Sequence, residues 1–353
     1  MHLRFFRKQM DKARLEGFIV HNDKNVYYLT GFMSSGGAYL LISGDSSPVL
    51  WVNRLDWEKA KEEVRNCDLR VIERRTRVQK ILLEELRSLR VKRAGFDEVS
   101  VAEFLELTRS WEGELKPEAQ MIWTLRRVKD KEETARMRRA ARIADIGVQV
   151  AIETIAPGVR EYVVAAEAEY AMRIGQSEGT AFETIVASGP RSAFPHGSPT
   201  TRKIQGGDLV VVDIGATFKH YRSDITRTVV AGKPSVTQRK IFDAVTDAQE
   251  TALRRYRDGE RCVLVDRVAR STIRRRGYGK QFIHGLGHGI GLDIHEPPTV
   301  SPGSKDVLET GNVVSNEPGI YVRDIGGVRI EDMILVAGSG CERFTSAPRS
   351  LEV

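Results

Sequence analysis

Apolar and polar positions along this chain alternate between the period of a strand and the period of a helix. GFIVHN (17–22), AYLLISG (38–44) and SPVLWVN (47–53) are short β-branched and apolar runs, which predict strands. A Gly/Ser/Pro turn separates the last two. Residues 1–16 suit a short helix with Phe5, Met10 and Ala13 on its apolar side, and KNVYYLTGF (24–32) leads through a turn. Helical and strand patterns then alternate through RLDWEKAKEEV, LRVIE, VQKILLEELRSL and RAGFDE to about residue 115, which predicts a compact α/β unit. The dense charge run LRRVKDKEETARM (125–137), followed by a long helical pattern, marks a new domain. The expected division is 1–124 and 125–353. The long helix carries Ala140, Ala144 and Val148 and stops at Pro157-Gly158; a second covers about 160–175. FETIVASG follows as a strand and SAFPHGSPT as a loop bearing His196. LVVVDIGA (209–216) and ITRTVV (225–230) read as paired strands. A similar order then returns: Ser235 and Gln238 suit a capping box for a helix to about Gly259, a second helix runs through Val265 to Arg276, and FIHGLGHGIGLDIHE ends in another His-bearing loop.

Composition narrows the class. With 353 residues, 29 % charged and 41 % hydrophobic, the chain is an ordinary globular protein with room for two cores. No apolar run reaches the roughly 18 residues of a membrane span, and the charged start lacks the apolar centre of a signal peptide, so no membrane partner is expected. Cys67, Cys262 and Cys341 show no ligand spacing and no even pairing, which fits a reducing cytoplasm. The net charge of +7 raises the question of nucleic acid. Its basic residues are spread over helices with no aromatic-rich motif, so solvated helix faces explain them and no nucleic-acid partner is expected.

The chemistry gathers around residues 284–296. Three of the chain's seven His, His284, His288 and His295, fall within twelve positions, with glycines at 285, 287, 289 and 291 between them. Histidine is the commonest metal ligand and the usual proton carrier near neutral pH. Glycine lets backbone approach a neighbouring group closely. Four acids stand at strand positions: Asp213 inside the first of the paired runs, Asp224 at the start of the second, Glu317 at the end of NVVSNEP, and Glu331 inside GVRIEDMILV. An acid inside an apolar strand is costly unless it is paired or binds a metal. Each alone is explained by a salt bridge; four together with a His cluster are not. Four carboxylates would balance two divalent cations, and a His donor favours Mn, Co, Fe or Zn over Ca or Mg. Paired metals of this kind lower the pKa of a shared water and polarise a carbonyl.

In this combination the motifs resemble the pita-bread metallopeptidase family (M24), which includes methionine aminopeptidase, aminopeptidase P, prolidase and creatinase. The likeness covers essentially the whole chain, VYYLTGF in the first domain included, and is greatest to the prolidase and aminopeptidase P branch. The resemblance implies an α/β N-terminal domain and an α+β C-terminal pita-bread domain with an internal pseudo-two-fold duplication. The recurrence of two helices, a strand and a His-bearing loop around the Asp213–Asp224 hairpin agrees with that duplication. Lys131 to His196 spans 65 residues and Ser235 to His295 spans 60, which puts His196 and His295 on opposite sides of the metals. The resemblance implies two divalent ions held by Asp213, Asp224, His288, Glu317 and Glu331, with Asp224 and Glu331 touching both. Glu317 would also shuttle the proton, His284 bind substrate, His295 stabilise the oxyanion, and His196 contact the residue after the scissile bond. Tyr321 and Arg329 would orient ligands and substrate. Arg323 is a candidate for a substrate carboxylate.

The substrate class follows from the resemblance too. The leading domain disfavours methionine aminopeptidase, and the complete ligand set disfavours creatinase and a non-catalytic binding module. Hydrolysis of the bond before proline remains: an Xaa-Pro dipeptidase, with an Xaa-Pro aminopeptidase acting on longer peptides as the alternative. The short chain leans toward the dipeptidase. A cytoplasmic homodimer is expected from the family.

Overall fold

The computed structural model describes residues 2–74 and 76–352; Met1, Arg75 and Val353, and with them the outer limits of both expected domains, lie outside the described residues. Two compact units divide at Arg126 and Arg127.

In the first unit the elements are α1 (His2–Lys12), β1 (Gly17–Val20), α2 (Asp23–Thr30), β2 (Ala38–Ser43), β3 (Val49–Asn53), α3 (Trp57–Glu63), β4 (Asp68–Ile72), α4 (Val78–Ser88), β5 (Arg93–Phe96), α5 (Val101–Ser110), β6 (Glu114–Pro117) and α6 (Gln120–Arg126). One mixed sheet, in the order β4-β3-β2-β1-β5-β6, carries the unit. Ile19, Leu41, Trp51, Leu82, Leu86 and Ala94 lie in one of its cores. Two expectations need correction, and one helix was not anticipated. The buried face of α1 is Phe6 and Met10, whereas Phe5 and Ala13 are exposed. KNVYYLTGF is largely helix α2. Asn22 accepts hydrogen bonds from the Lys24 and Asn25 amides, and Gly31 ends the helix at φ 81°. Those caps, with burial of Tyr27, Tyr28 and Leu29, override the weak helix propensity of its aromatic and β-branched residues. Helix α5 was readable from Ser100 and Glu103, which form a complete capping box.

In the second unit α7 (Lys131–Thr154) and α8 (Glu161–Ile174) pack on each other, followed by β7 (Gly179–Thr180), β8 (Ile185–Ser188), a 3-10 turn at Gly189–Ala193, β9 (Leu209–Ile214), β10 (Ala216–Phe218), β11 (Tyr221–Arg222) and β12 (Ile225–Val230). A second helix pair, α9 (Val236–Leu253) and α10 (Cys262–Arg275), leads to β13 (Gly287–Gly289), β14 (Glu296–Val300), β15 (Val313–Asn316), β16 (Gly319–Val322), β17 (Gly326–Arg329), β18 (Asp332–Val336) and β19 (Cys341–Arg343). The expected Ser235–Gln238 capping box is present on α9.

The duplication is visible in the connectivity. Each helix pair precedes an antiparallel meander, β8-β9-β12 in one half and β13-β15-β18 in the other. An acid stands immediately ahead of the third strand in both: Asp224 before β12 and Glu331 before β18. Glu331 therefore lies at a junction between strands rather than inside one. The two junctions meet, since the Glu331 amide donates to the Thr226 carbonyl at 3.1 Å. Among the described residues no helix is long and apolar enough to cross a membrane, and the three cysteines are unpaired thiols.

Candidate metal centre

Five strands of the second unit deliver the acids and imidazoles. Asp213, in β9, is registered against Thr226 of β12. Its residues alternate between faces, and both faces of β9 are buried, so the carboxylate has no route to bulk water along the strand. Asp224 and Glu331 are 5 % and 2 % exposed. His288 is the middle residue of β13, and Glu317 follows β15 directly.

Glycine lets β13 approach its neighbours. A Cβ at Gly287 would lie 2.2 Å from the Ser315 carbonyl oxygen. This closeness lets Ser315 fix two groups at once: its Oγ accepts from the His288 amide at 3.0 Å and donates to Glu317 Oε1 at 3.1 Å. His288 Nδ1 lies 3.1 Å from the Gly289 carbonyl oxygen. A carbonyl only accepts, so Nδ1 carries the proton and Nε2 turns toward the acids. Nε2 is 3.6 Å from Asp224 Oδ2 and 3.3 Å from Glu317 Oε1. Ligand atoms of Asp224, His288 and Glu331 all lie within 4.8 Å of one another.

The electrostatics of this arrangement favour a cation. Burial, and then the charges of Glu331, Asp213 and Glu317, hold the Asp224 carboxyl well above its usual range. Burial, then Glu317 and Asp213, do the same to Glu331. Burial also raises Asp213 despite its pairing with Arg329. Glu317 goes the other way: burial opposes its charge, but the His288 hydrogen bond and charge prevail and bring it to about 2. In His288 burial favours the neutral ring, yet Glu317 outweighs it and raises the pKa. Asp213 Oδ1 and Glu331 Oε1 are buried without a hydrogen-bond partner among the described residues. A buried acceptor left without a donor costs about 1–3 kcal/mol, more when charged. Two such oxygens beside a His nitrogen and further carboxylates form a donor set that fits transition-metal ions.

Behind the acids, Arg329 organises the cluster. Its Nη2 donates to Asp213 Oδ2 at 2.6 Å, its Nε to Thr226 Oγ1 at 3.1 Å and its Nη1 to the Tyr321 hydroxyl at 2.8 Å. Thr226 passes the constraint on by donating to Glu331 Oε2 at 2.7 Å. Because arginine has no acceptor, the Tyr321 proton is free to go to His284 Nε2, 3.0 Å away. His284 Nδ1 in turn donates to the Gly285 carbonyl at 2.7 Å. Burial lowers the His284 pKa, which matches a neutral ring accepting from tyrosine, and burial raises the Tyr321 phenol to about 12. Tyr321→Phe removes the central link. Its expected result is a roughly 10–100-fold lower kcat, the usual size for losing a group that orients ligands. Steady-state kinetics with metal content measured in parallel check it; wild-type kcat with normal metal content would remove this orienting role.

The cluster opens into a cavity of about 740 Å³. His196 and the exposed His295 line it with His284 and His288, and the rings of His288 and His295 meet edge to face with centroids 4.3 Å apart. His284 reaches the cavity with both ring nitrogens already bonded to protein. Phe182, Ile185, Ile283 and Ile294 give apolar walls. Arg323 is exposed in the turn between β16 and β17, beyond the closing pair Val322–Gly326, and is not among the cavity's lining residues. Sequence reasoning overlooked Thr226 and Ser315. Thr226 could have been found as the cross-strand partner of Asp213; Ser315 had no comparable signal.

The profile of the metallopeptidase family M24 matches residues 135–337, and that of the creatinase/prolidase N-terminal domain matches residues 3–128. The chain belongs to metallopeptidase family M24. It is 41 % identical over 346 residues to the Xaa-Pro dipeptidase of Pyrococcus furiosus, covering 98 % of this chain and 97 % of that one. Among solved structures, the prolidase of Pyrococcus horikoshii OT3 superposes with a TM-score of 0.93 at 38 % identity, over 99 % of both chains. The X-Pro aminopeptidase of Thermotoga maritima superposes with a TM-score of 0.91 at 33 % identity, over 100 % of this chain and 99 % of that one. As an M24 metallopeptidase, the chain is a hydrolase that works with divalent metal ions, and it has the two-domain creatinase-type and pita-bread architecture.

Proposed function

We propose that this metallopeptidase is an Xaa-Pro dipeptidase that holds two divalent ions (Mn, Co, Zn or Fe) on Asp213, Asp224, His288, Glu317 and Glu331. The observation that carries the reading is the buried four-carboxylate cluster, with oxygens on Asp213 and Glu331 that have no partner among the described residues, lining a cavity with apolar walls. The 41 % identity to an Xaa-Pro dipeptidase supports the substrate class. When bound, the divalent ions supply Lewis acidity, generating hydroxide from water near neutral pH and polarising the scissile carbonyl.

The residues of the chain do the rest. Proline's nitrogen carries no hydrogen and its ring is apolar, and apolar walls suit such a ring. Glu317 is anionic at neutral pH. Its Oε1 is engaged by Ser315 and His288, and Oε2, without a protein hydrogen bond among the described residues, takes the proton from water and returns it to the leaving nitrogen. His295, whose pKa is lowered by partial burial and by the neighbouring His288, donates to the developing oxyanion. His196 contacts the residue after the scissile bond. His284 acts mainly through Tyr321 and Arg329, because both its nitrogens have protein partners. The reading includes a homodimer and a cytoplasmic location, to which three unpaired thiols are suited.

The test is a paired assay on metal-stripped protein with Mn, Co or Zn restored. Cleavage of an Xaa-Pro dipeptide, with an Xaa-Pro tripeptide left intact, is the expected result. Release of the first residue from the tripeptide would favour the aminopeptidase alternative, for which the likeness to the Thermotoga maritima enzyme speaks. No metal-dependent cleavage of either would overturn the proposal.

A further inference from the structure

A fully buried ion pair sits behind the loop that carries His295. Lys129 Nζ and Glu296 Oε2 are 3.2 Å apart, and each side chain is 1 % exposed. Burying both charges is expensive, and such a pair often contributes little net stability compared with an apolar pair of similar volume. Its geometry indicates another use. Glu296 Oε1 accepts from the Asp293 amide at 3.0 Å, so the carboxylate folds back over the turn that precedes it. The same turn is tied internally by the Gly291 amide to the Asp293 carbonyl at 2.9 Å, and externally by the Arg222 amide to the Gly291 carbonyl at 2.9 Å. The carboxylate fills the space beside Gly291: a Cβ there would lie 2.6 Å from both of its oxygens. Glu296 also begins β14, pairing with Gly289 at the bulge just after His288. Lys129 is held from its own side by its amide, which donates to the Gly311 carbonyl at 2.9 Å.

We infer that Lys129 and Glu296 are positioning residues: their buried pair clamps the 291–296 turn and so fixes the His295 ring against His288 over the cavity. The connection is short. His295 lies between Asp293, whose amide the clamp holds, and Glu296, which is the clamp. His295 is exposed and, among the described residues, its ring nitrogens have no hydrogen-bond partner, so its placement depends on the backbone beneath it. A hydrogen bond to a transition state is useful only if its donor is already in place.

This inference rests on the proposed catalytic role of His295, and its test separates the two. Glu296→Gln keeps the shape and removes the charge. It is expected to lower kcat about 10–100-fold with KM little changed and two ions still bound per chain. Lys129→Met is expected to do likewise, and the double variant Lys129→Met/Glu296→Gln, which removes both charges of the pair, is expected to regain the wild-type melting temperature but not its kcat. The decisive arm is the His295→Ala background, where Glu296→Gln should change kcat less than about 3-fold, since the group being positioned is gone. Full, multiplicative loss in that background would overturn the clamp. Should His295→Ala alone leave kcat unchanged, the catalytic reading of His295 fails. The clamp is then judged by NMR on the full metal-loaded protein. Loss of the proton contacts between the His295 and His288 rings in Glu296→Gln supports it, and retained contacts overturn it.

Discussion

Asp224→Asn is expected to abolish metal-dependent hydrolysis and, at the same time, to raise the melting temperature of the metal-free protein. Both effects follow from one fact. Asp224 is buried among three other carboxylates, and burial followed by the charges of Glu331, Asp213 and Glu317 oppose its ionisation. With metal bound, its charge is what the site needs, and replacing it by an amide weakens metal binding and transition-state stabilisation together. The loss should exceed the roughly 100-fold typical of groups behind the ligands. Without metal, the same charge is a liability, and asparagine has nearly the shape of the protonated acid. Relief of one like-charge contact, on the order of 1 kcal/mol for each pKa unit, corresponds to roughly 2–4 °C in a domain of about this size. The gain should be larger at pH 8 than at pH 5, because the raised pKa leaves the carboxyl less ionised at the lower pH. Calorimetry of chelated wild type and variant, alongside kinetics with restored metal, checks both halves. Retained hydrolysis would remove Asp224 from the ligand set. A lower melting temperature for the metal-free variant would mean that Asp224 is stabilised by something other than a cation.

Chelation of the wild-type protein is expected to lower its melting temperature more at pH 8 than at pH 5. Folding holds the pKa values of Asp213, Asp224 and Glu331 above the 3.8 and 4.5 of free Asp and Glu. In the metal-free protein the folded state therefore retains protons that the unfolded chain has released. Stability is greatest below the free carboxylate range and falls as pH rises from about 4 through the raised values. His288 acts in the same sense from its free value of 6.5 upward, because Glu317 outweighs burial and raises it. Glu317 has the opposite sign, but its contribution is lost only as pH falls from 4.5 toward about 2, outside this window. Metal reverses the trend, since it binds the deprotonated ligands more tightly as pH rises. At metal 1,000-fold above Kd the linkage is about 4 kcal/mol, or roughly 8–16 °C in a domain of this size. Thermal melts with and without chelator at the two pH values give the answer. An equal drop at both, or a larger one at pH 5, would mean that these carboxylates are not what the metal neutralises.

Much of the site was legible in sequence because its residues are unusual where they stand. Asp213 interrupts the run LVVV, and Glu331 stands between two apolar stretches; each pays a desolvation cost that only a partner can offset. The His284–His295 cluster is dense against a chain with seven histidines. The strand pair bearing Asp213 and Asp224 was readable because both halves are β-branched, and β9 and β12 pair along six residues. What was misread had weak local signals. The face of α1 was placed one residue away, on Phe5 rather than Phe6, because a charged helix of eleven residues with two adjacent phenylalanines does not fix its own rotation; packing on the sheet does. Helix α2 was missed because its caps outweigh its propensities.

The chain by itself determined which residues are candidates for the chemistry and in what order they come: acids ahead of or within strands, imidazoles among glycines, and helix starts marked by Ser235–Gln238. Those features are local, since they follow from the cost of burying a charge and from the needs of a few consecutive backbone groups. Tertiary structure alone decided how the acids are held. Arg329, 116 positions from Asp213, takes one of its oxygens and leaves the other without a partner among the described residues; Thr226 reaches Glu331; Ser315 ties His288 to Glu317; and Lys129 crosses 167 positions to Glu296. No periodicity encodes such pairs, because each depends on where distant segments meet, and only the packed meanders bring them within hydrogen-bonding distance.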